Sequence, residues 1–402
     1  MEILYISSAC SKKTFNNNQF NSKRQKEIYG MPVSSNKFHG LIMKGLSKKN
    51  NVYSLVGRPI SRMTHDKIFW KNYKEVEDKV EYKYLPIINI PCIKQIIVGF
   101  SCYFNIIGWR IKHRNEEKVI VYDASYVTVI PFIILACIFS KIKKIAIFAD
   151  IYNYMADVDT SNRKTNFMFK IMKKVVRVCY NNTDKYIFLS KQMNELINKK
   201  NKPYDIIEGL VDLDMINSEN IFENKDPKDV IMYAGTLKEE YGLKILLEGF
   251  MKYKNENAEL WIFGEGNYAD EISKYEKIDS RIKYGGVLDN AQIIHKEVEA
   301  TLLINPRPTD LEFTKYSFPS KIMEYMVSGT PVLTTKLPTI PKEYNDYVLF
   351  IEKETPEGIK NALENSINKY KKCGLDVIGK KSKKFVLDNK NNVVQANKIL
   401  KI

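Results

Sequence analysis

The chain has 402 residues, which is too long for one ordinary hydrophobic core and predicts two domains of roughly 200 residues each. Because 44% of the residues are hydrophobic and 27% are charged, the composition excludes a disordered or fibrous protein and predicts a folded, soluble one. The formal net charge of +16 favours anionic partners such as phospholipid, nucleic acid or phosphorylated substrates. A Lys-, Asn- and Ile-rich composition spread over the whole chain is the plainer explanation.

The cysteine pattern and the lengths of the apolar runs bear on the cellular compartment of the protein. The six cysteines are scattered without a Cys-x-x-Cys pair, which argues against a zinc site or a disulfide framework and predicts a reducing cytoplasm. The first residues lack the basic start of a signal peptide, so we interpret Ile3–Ile6 as the first strand. The apolar runs Ile96–Trp109 and Val127–Ser140 are each 14 residues long and fall short of the ~20 residues that span a bilayer.

Short β-branched runs alternate with longer helical patterns along almost the whole chain. The predicted strands are Ile3–Ile6, Val52–Val56, Val119–Tyr122, Ile145–Phe148, Tyr186–Leu189, Val230–Ala234, Leu260–Phe263, Ile282–Tyr284, Leu302–Ile304 and Val332–Thr334. Apolar residues three and four apart predict helices between them, among them Asn36–Lys48, Asn162–Tyr180, Gly242–Tyr253 and Asn290–Glu297. The alternation is typical of α/β proteins with parallel sheets covered by helices on both faces.

The polar stretch Ser218–Asp229 contains Pro227 and precedes a fresh strand, which is typical of a domain boundary. We therefore predict two doubly wound, Rossmann-like domains over residues 1–217 and 218–379, with a C-terminal helix over 380–402 packed on the first domain. The default ligand site is the crevice between the domains, at the C-terminal ends of both sheets.

Three predicted strands of the second domain end in residues suited to an anion. Gly235-Thr236-Leu237-Lys238 follows the first strand, Gly264-Glu265-Gly266 the second, and Asn305-Pro306-Arg307-Pro308 a third. A glycine lets backbone approach a ligand closely, and a following helix presents free N–H groups. Each signal alone is weak, but together they predict an anion cradle.

A short helix with an abrupt start and stop follows these strands. It is predicted to open at Ser317-Phe318-Pro319-Ser320-Lys321, with Ser317 as cap and Pro319 in the first turn, and to stop at Ser328-Gly329. The helix N-terminus and the charge of Lys321 predict a phosphate site. Ser320, Lys321 and Glu324 share one face, where the Glu324 carboxylate can accept hydrogen bonds from ribose hydroxyls. A surface ion pair between Lys321 and Glu324 is the alternative.

These residues resemble a known family. Gly235, Gly264-Glu265-Gly266 and Pro319-x-Lys321-x-x-Glu324-Tyr325-Met326-x-x-Gly329-x-Pro331-Val332 look like the nucleotide-sugar domain of retaining GT-B glycosyltransferases, the group 1 family that builds bacterial polysaccharides. The resemblance is strongest over residues 229–335. Weaker similarity is found at Ser190 and in the turn Ile207–Asp212.

The resemblance implies a GT-B fold and metal-independent transfer of a sugar from a nucleotide-diphosphate donor with retention, without a permanently bound cofactor. The acceptor would be a glycan or lipid-linked oligosaccharide for a surface polysaccharide such as capsule. The first domain would bind the acceptor and the second the nucleotide sugar, in the cytoplasm and peripheral to the inner face of the cell membrane.

The resemblance also assigns site residues. The donor-binding candidates are Gly235, Thr236, Lys238, Gly264, Gly266, Arg307, Ser317, Ser320, Lys321 and Glu324, with no metal ligand. Asp150 and Lys321 are the catalytic candidates, although Asp150 is as readily a helix N-cap. His39 and Gly40, which follow a long polar loop, are acceptor-side candidates, although a lone histidine is more often structural.

Three positions depart from the family's pattern. Tyr316 stands where many members carry the first glutamate of a Glu-x7-Glu pair, and Thr236 and Tyr241 stand where many carry diphosphate-binding cations. Lys321, Lys238 or Arg307 would supply the lost charge. The departures favour a rival, a catalytically silent GT-B scaffold that binds a glycan or a partner transferase. An epimerase is weaker, and a nucleic-acid binder lacks any recognisable motif.

Two basic stretches, Cys92–Arg114 and Asn162–Tyr180, combine lysine and arginine with apolar residues. They predict a face that lies on an anionic leaflet, and the alternative is a core helix with a solvated basic rim. The loops Ser7–Lys37 and Ser61–Lys79 are predicted to carry specificity.

Overall fold

The computed structural model describes residues 1–16, 33–62, 65–150, 165–217, 228–373 and 375–401. They form two compact units: unit 1 comprises Met1–Ile207 with Asn392–Ile402, and unit 2 comprises Glu208–Asn391. The predicted linker, residues 218–227, lies outside the described residues. The division falls at Glu208 rather than at residue 218, and the chain returns to unit 1 at Asn392 rather than at residue 380.

Unit 1 is built on an eight-stranded sheet in the order β10-β9-β8-β7-β1-β2-β5-β4, parallel except for the β4–β5 pair. The strands of this unit are β1 (Glu2–Ser7), β2 (Asn51–Val56), β3 (Phe69–Trp70), β4 (Tyr73–Glu77), β5 (Val80–Tyr84), β6 (Ile87–Ile88), β7 (Lys118–Asp123), β8 (Lys143–Phe148), β9 (Lys185–Phe188) and β10 (Tyr204–Ile206). Of these, β3 and β6 lie outside the eight-stranded sheet and pair antiparallel with each other. The strand order reverses between β1 and β7, which is where doubly wound folds place their ligands.

The helices of this part of the chain are α1 (Lys12–Asn16), α2 (Val33–Leu46), α3 (Ile93–Lys112), α4 (Ile130–Cys137), α5 (Thr165–Asn181) and α6 (Lys191–Ile197). Every residue of β1 is buried, because a central strand of a parallel sheet is covered on both faces.

Unit 2 carries a six-stranded parallel sheet in the order β13-β12-β11-β14-β15-β16. Its strands are β11 (Asp229–Ala234), β12 (Ala258–Phe263), β13 (Ile282–Tyr284), β14 (Leu302–Asn305), β15 (Val332–Thr335) and β16 (Leu349–Ile351). Its helices are α7 (Leu243–Lys252), α8 (Ala269–Ile278), α9 (Asn290–Glu299), α10 (Ser320–Ser328), α11 (Pro356–Cys373) and α12 (Leu375–Asn389). The strand order reverses between β11 and β14, and the predicted α/β fold class of two Rossmann-like domains is confirmed.

The last helix, α13 (Asn392–Leu400), belongs to unit 1. It packs against α2, where a Cβ atom on Gly45 would lie 2.1 Å from the Asn392 carbonyl oxygen, so only glycine permits the approach. The Lys185 ammonium donates hydrogen bonds to the carbonyls of Lys398 and Ile399 at the end of α13, at 2.8 and 3.3 Å. The segment predicted as one helix over 380–402 is therefore divided between α12 and α13.

The structure corrects the predicted loop Ser61–Lys79. This segment contains β3 and β4, and β4 alternates half-buried with exposed residues at the edge of the sheet. Edge strands carry charged residues, as β4 does at Lys74, Glu75 and Glu77, and this polarity suggested a loop. In the predicted loop Ser7–Lys37, Lys12–Asn16 is helical and α2 begins at Val33, while residues 17–32 lie outside the described residues.

A buried ion pair ties the first and last segments of unit 2 together. The Lys390 ammonium lies 2.5 Å from Glu208 Oε1 and 2.6 Å from Glu343 Oε1, and the Tyr344 hydroxyl donates to Glu208 at 2.9 Å. The Lys390 and Glu208 side chains are only 4% and 2% exposed. Each charge is therefore held in a low-dielectric site by the other.

Replacement of Lys390 by methionine should leave the Glu208 carboxylate buried without its cation. We expect the free energy of unfolding of unit 2, measured in urea, to fall by about 3–5 kcal/mol, and Glu208→Gln/Lys390→Met to recover most of the loss. Lys384→Met is the matched control, because Lys384 pairs with Asp388 on the surface of α12. Lys384→Met should unfold at nearly the same urea concentration as the wild type, and an equal loss in the two lysine variants would contradict the assignment.

Candidate functional site

The loops that follow β11 and β12 form one hydrogen-bonded layer at the C-terminal edge of the unit 2 sheet. The Gly235 N–H donates to the Phe263 carbonyl and the Leu237 N–H to the Glu265 carbonyl, both at 2.9 Å. The Tyr268 N–H returns a bond to the Leu237 carbonyl at 3.0 Å. The two predicted glycine loops therefore lie together, next to the point where the strand order reverses.

Glycine is required where these loops touch. Gly264 has a φ of 132°, and a Cβ atom there would lie 1.8 Å from the Gly235 carbonyl oxygen. A Cβ atom on Gly266 would lie 2.1 Å from the Leu237 carbonyl oxygen. The backbones approach too closely for any side chain, so packing of loop on loop explains both residues.

Tyr325 fixes helix α10 to the end of β11. Its buried hydroxyl accepts a hydrogen bond from the Ala234 N–H at 2.9 Å and donates to the Ala234 carbonyl at 3.1 Å. One turn earlier, Lys321 Cε lies 3.0 Å from the position of a Cβ atom on Gly235. The first turn of α10 therefore brings a lysine side chain to the glycine loop that follows β11.

The face of α10 opposite the core carries the predicted polar residues. Ile322, Met323 and Tyr325 are buried, whereas Lys321 and Glu324 are half-buried and Ser320 is exposed. The helix ends where the sequence predicted, at Gly329 with a left-handed φ of 78°.

The predicted Ser317 cap is wrong. Pro319 occupies the N-cap position of α10, and no side chain of the described residues caps the helix. The Ser317 N–H instead donates to the Phe313 carbonyl at 3.0 Å, in the turn that leaves the 3-10 helix Glu312–Lys315. Pro319 offers no side-chain acceptor to the first N–H groups of α10, and a helix N-terminus without a side-chain cap favours an anion.

Arg307, which follows β14 across the reversal, is stacked on aromatic rings. Its guanidinium carbon lies 4.7 Å from the ring centre of Tyr241 and 5.4 Å from that of Phe313. Burial lowers the pKa of Arg307, while the neighbouring Tyr241 opposes the shift. Its Nη1 atom is buried and has no hydrogen-bond partner in the described ranges. The Arg307 cation therefore lies against the ring of Tyr241.

The remaining donor candidates are less enclosed. The Lys238 ammonium lies 3.4 Å from Glu240 Oε1 on the surface, and Thr236 is exposed. Tyr316 donates from its hydroxyl to Glu312 Oε1 at 3.3 Å on an exposed surface.

His39 lies inside α2, within the predicted helix Asn36–Lys48, and it is completely buried. The Tyr5 hydroxyl lies 2.6 Å from His39 Nδ1, and His39 Nε2 lies 3.4 Å from Asp123 Oδ2. Burial lowers the pKa of His39 and raises that of Tyr5. A neutral imidazole that accepts from Tyr5 at Nδ1 carries its proton on Nε2, facing Asp123.

Asp123 is the residue that sequence reasoning missed. It ends β7 beside the strand reversal, and its Oδ1 accepts hydrogen bonds from the Ser125 N–H and Oγ at 2.8 and 2.7 Å. The available signal was an aspartate directly after an apolar strand, the same signal that singled out Asp150. A single chain gives no reason to prefer one over the other.

Asp150 follows β8, the strand next to β7, and is half-buried. Burial and the nearby charge of Asp123 raise the pKa of Asp150 to about 7. The alternative role as a helix N-cap involves residues 151–164, which lie outside the described residues. Gly40 lies within α2, where a Cβ atom would meet nothing within 4 Å, so packing does not demand glycine there.

Among the described residues, one group of side chains is compact enough to hold a metal ion: Glu2, His113 and Glu116. His113 Nδ1 lies 3.2 Å from a carboxylate oxygen of each glutamate. The group adjoins the start of β1 and β7, at the opposite edge of the sheet from Asp123 and Asp150. Its contacts are those of an ordinary ion-paired histidine.

Comparison with known proteins agrees with this geometry. Residues 228–369 match the profile of a family described as glycosyl transferases group 1. A comparison with curated proteins gave no match.

The chain is similar in fold to several solved structures. A glycosyltransferase from Rickettsia africae has a TM-score of 0.65 at 14% identity, over 100% of this chain and 98% of that one. Anabaena HepE, solved in complex with UDP, has a TM-score of 0.65 at 13% identity, over 99% and 98%. Sucrose-phosphate synthase from Thermosynechococcus elongatus has a TM-score of 0.62 at 13% identity, over 99% and 98%. The fold is GT-B, and the family match and the fold together support a GT-B glycosyltransferase.

Proposed function

We propose that this protein moves a sugar from a nucleotide-diphosphate donor, with retention of anomeric configuration, to a glycan or lipid-linked oligosaccharide acceptor. We assign the reaction to bacterial surface polysaccharide synthesis, such as that of capsule, in the cytoplasm at the inner face of the membrane. The observation that carries the proposal is the position of Lys321, which reaches from an uncapped helix N-terminus to the glycine loop after β11. One HepE structure contains UDP-glucose, and a TarM structure contains UDP and α-GlcNAc-glycerol.

The donor diphosphate would bind at the N-terminus of α10. The helix dipole and the Lys321 ammonium both favour negative charge there, and charge-assisted hydrogen bonds are the strong ones. Glu324, one turn further on the same face, would accept hydrogen bonds from the ribose hydroxyls. Gly235, Gly264 and Gly266 would shape the loops beside the phosphates, and Ser320 would lie at their edge.

The departures at Thr236 and Tyr241 do not remove positive charge from this edge of the sheet. Arg307 stacks on the Tyr241 ring, and its buried Nη1 atom has no hydrogen-bond partner among the described residues. We propose that Arg307 and Lys321 together stabilise the departing diphosphate, and that no metal ion is needed for this. Lys238 would contribute a weaker, solvent-exposed charge at the rim.

Unit 1 would bind the acceptor through Asp150. Its carboxylate is half-buried and would accept a hydrogen bond from the acceptor hydroxyl. Asp123 is buried and would act through its charge, which raises the pKa of Asp150, while His39 would position Asp123. Gly40 stays a weaker acceptor-side candidate.

The acceptor role of Asp150 predicts a pH profile. A carboxylate with a pKa of about 7 is protonated below that pH and ionised above it. The rate of transfer should therefore rise as the pH increases through about 7, and Asp150→Asn should lower the rate above pH 7 and flatten the profile. The comparison variant is Asp184→Asn, which removes an exposed carboxylate paired with Lys144 in unit 1. A rise that persists unchanged in Asp150→Asn would contradict the role.

The experiment that tests the proposed function is turnover by purified protein of a panel of nucleotide sugars with EDTA present. Release of nucleoside diphosphate from one donor is the expected result, and proton NMR of the transferred sugar should show the anomeric configuration of that donor. An inverted anomer would contradict retention, and a requirement for added metal would contradict the charge assignment. No turnover and no nucleotide binding would favour the silent scaffold.

A further inference from the structure

Helix α3 of unit 1 is apolar on two opposite faces. One face is buried in the core through Val98, Cys102, Ile106 and Trp109. The other consists of Ile93, Ile96, Phe100, Phe104 and Ile111, which are between 43% and 66% exposed. At 100° per residue these five side chains lie within an arc of about 80°. A helix on an ordinary protein surface has a polar outward face instead.

The exposed apolar stripe of α3 continues onto α4. Gly99 brings the two helices together, since a Cβ atom there would lie 2.2 Å from the Phe132 ring, and the Phe100 and Phe132 ring centres are 5.2 Å apart. Beyond this contact, Leu135, Ile138 and Phe139 are exposed at and after the end of α4, with Phe139 95% exposed. Helix α5 packs on α4 and adds the exposed residues Ile171, Val175 and Val178.

We call these exposed side chains of α3, α4 and α5, together with Ile138 and Phe139, the apolar face. Isolated apolar residues on a surface are normal, but a contiguous set over three helices marks an interaction site. No helix in the described part of the chain is long and apolar enough to cross a bilayer.

The charges around the apolar face all have one sign on these helices. The sequences of α3, α4 and α5 contain no Asp or Glu, although the chain has 47 acidic residues. Lys112, Lys174 and Arg177 are exposed on α3 and α5, and Lys141 is exposed just after Phe139. Such a surface repels other cationic surfaces and attracts anionic ones.

A groove of about 890 Å³ lies at the C-terminal end of α3. Ile111 and Phe139 of the apolar face line it together with Arg110, Arg114 and Lys141, while Glu116 and Glu117 contribute carboxylates from the following turn. Apolar side chains beside guanidinium and ammonium groups match a lipid, whose acyl chains adjoin a phosphate headgroup.

We propose that the apolar face docks unit 1 onto the surface of an anionic phospholipid bilayer. The apolar side chains enter the interface between headgroups and acyl chains, and the surrounding lysines and arginines lie at the level of the phosphates. We favour anionic lipid over a protein partner because α3, α4 and α5 contain no carboxylates. Docking on the bilayer agrees with the proposed function, because lipid-linked acceptors lie there. The evidence for docking comes from unit 1 alone and does not depend on the donor site in unit 2.

Flotation of the full chain with phosphatidylcholine vesicles, with and without phosphatidylglycerol, tests the proposal. We expect binding to the anionic vesicles that weakens with added salt, and much weaker binding to phosphatidylcholine alone. Phe104→Ser/Phe139→Ser should lower the partition coefficient by about tenfold or more. Val76→Ser/Ile278→Ser is the matched control, because these residues are 70% and 68% exposed outside the apolar face, and it should bind as the wild type does.

Charge reversal provides the second arm. Lys141→Glu/Lys174→Glu should lower binding to anionic vesicles by about tenfold or more, whereas Lys277→Glu at the end of α8 should not. Circular dichroism melts establish that the variants are folded, and nucleotide-sugar turnover in the absence of vesicles should be unchanged in all of them. Absence of vesicle binding, or equal binding by the Phe104→Ser/Phe139→Ser variant, would overturn the proposal. Self-association lost in that variant without vesicle binding would identify the face as an interface between copies.

Discussion

Lys321→Ala is expected to lower kcat/KM for sugar transfer by about 10²–10³-fold. The variant removes the cation that reaches the end of β11, and loss of one group that stabilises a leaving anion has an effect of this size. Lys321→Met should show the same loss, because it keeps most of the aliphatic stem that packs beside Gly235. Nucleoside diphosphate affinity, measured by calorimetry, should fall in parallel.

Lys315→Ala is the matched control for Lys321. Lys315 lies in the 3-10 helix that precedes α10 and pairs with Glu312 in solvent. Lys315→Ala also removes one positive charge, six residues before Lys321 in the sequence, but leaves the glycine loops unchanged. A change in kcat/KM of similar size in the two variants would show that only the overall charge matters, and would contradict the assigned phosphate site.

Gly264→Ala is expected to damage unit 2 more than any other single methyl addition discussed above. The new Cβ atom would lie 1.8 Å from the Gly235 carbonyl oxygen, and the φ of 132° is unfavourable for alanine. We expect the free energy of unfolding of unit 2 to fall by about 2–4 kcal/mol. Nucleotide affinity should fall as well, since the two loops must separate.

Gly286→Ala is a control that introduces backbone strain without a steric clash. Gly286 also has a positive φ, of 66°, but a Cβ atom there meets nothing within 4 Å. The expected loss is about 1 kcal/mol from the left-handed conformation alone. Urea unfolding of both variants checks the difference, and similar losses would mean that the loops after β11 and β12 do not pack as described.

Local patterns predicted much of the fold. Each predicted strand was found, because a buried parallel strand is a continuous apolar run, and the end of α10 at Gly329 followed from the need for a left-handed residue. The strands β3, β4, β5, β6, β10 and β16 were missed, because they are brief or alternate polar with apolar residues. The prediction that Ser317 caps α10 was wrong, because the Ser317 N–H belongs to the preceding 3-10 turn.

The contacts that define the site were harder to predict. The stacking of Arg307 on Tyr241 joins residues far apart in sequence, as does the contact of His39 with Asp123. Periodicity reports which face a residue lies on within one element, but not which residue of another element it meets. Asp123 was missed for this reason, and the sequence did not show that His39 is the buried centre of a three-residue contact.

The central claim is that α10 holds a nucleotide sugar. The most direct test is release of nucleoside diphosphate by purified wild-type protein and by Glu324→Ala, with Glu312→Ala as the control for an exposed glutamate nearby. We expect release from at least one donor by the wild type and Glu312→Ala, and a loss of about 10²-fold or more in Glu324→Ala. Equal release by Glu324→Ala and the wild type would contradict the donor site described here.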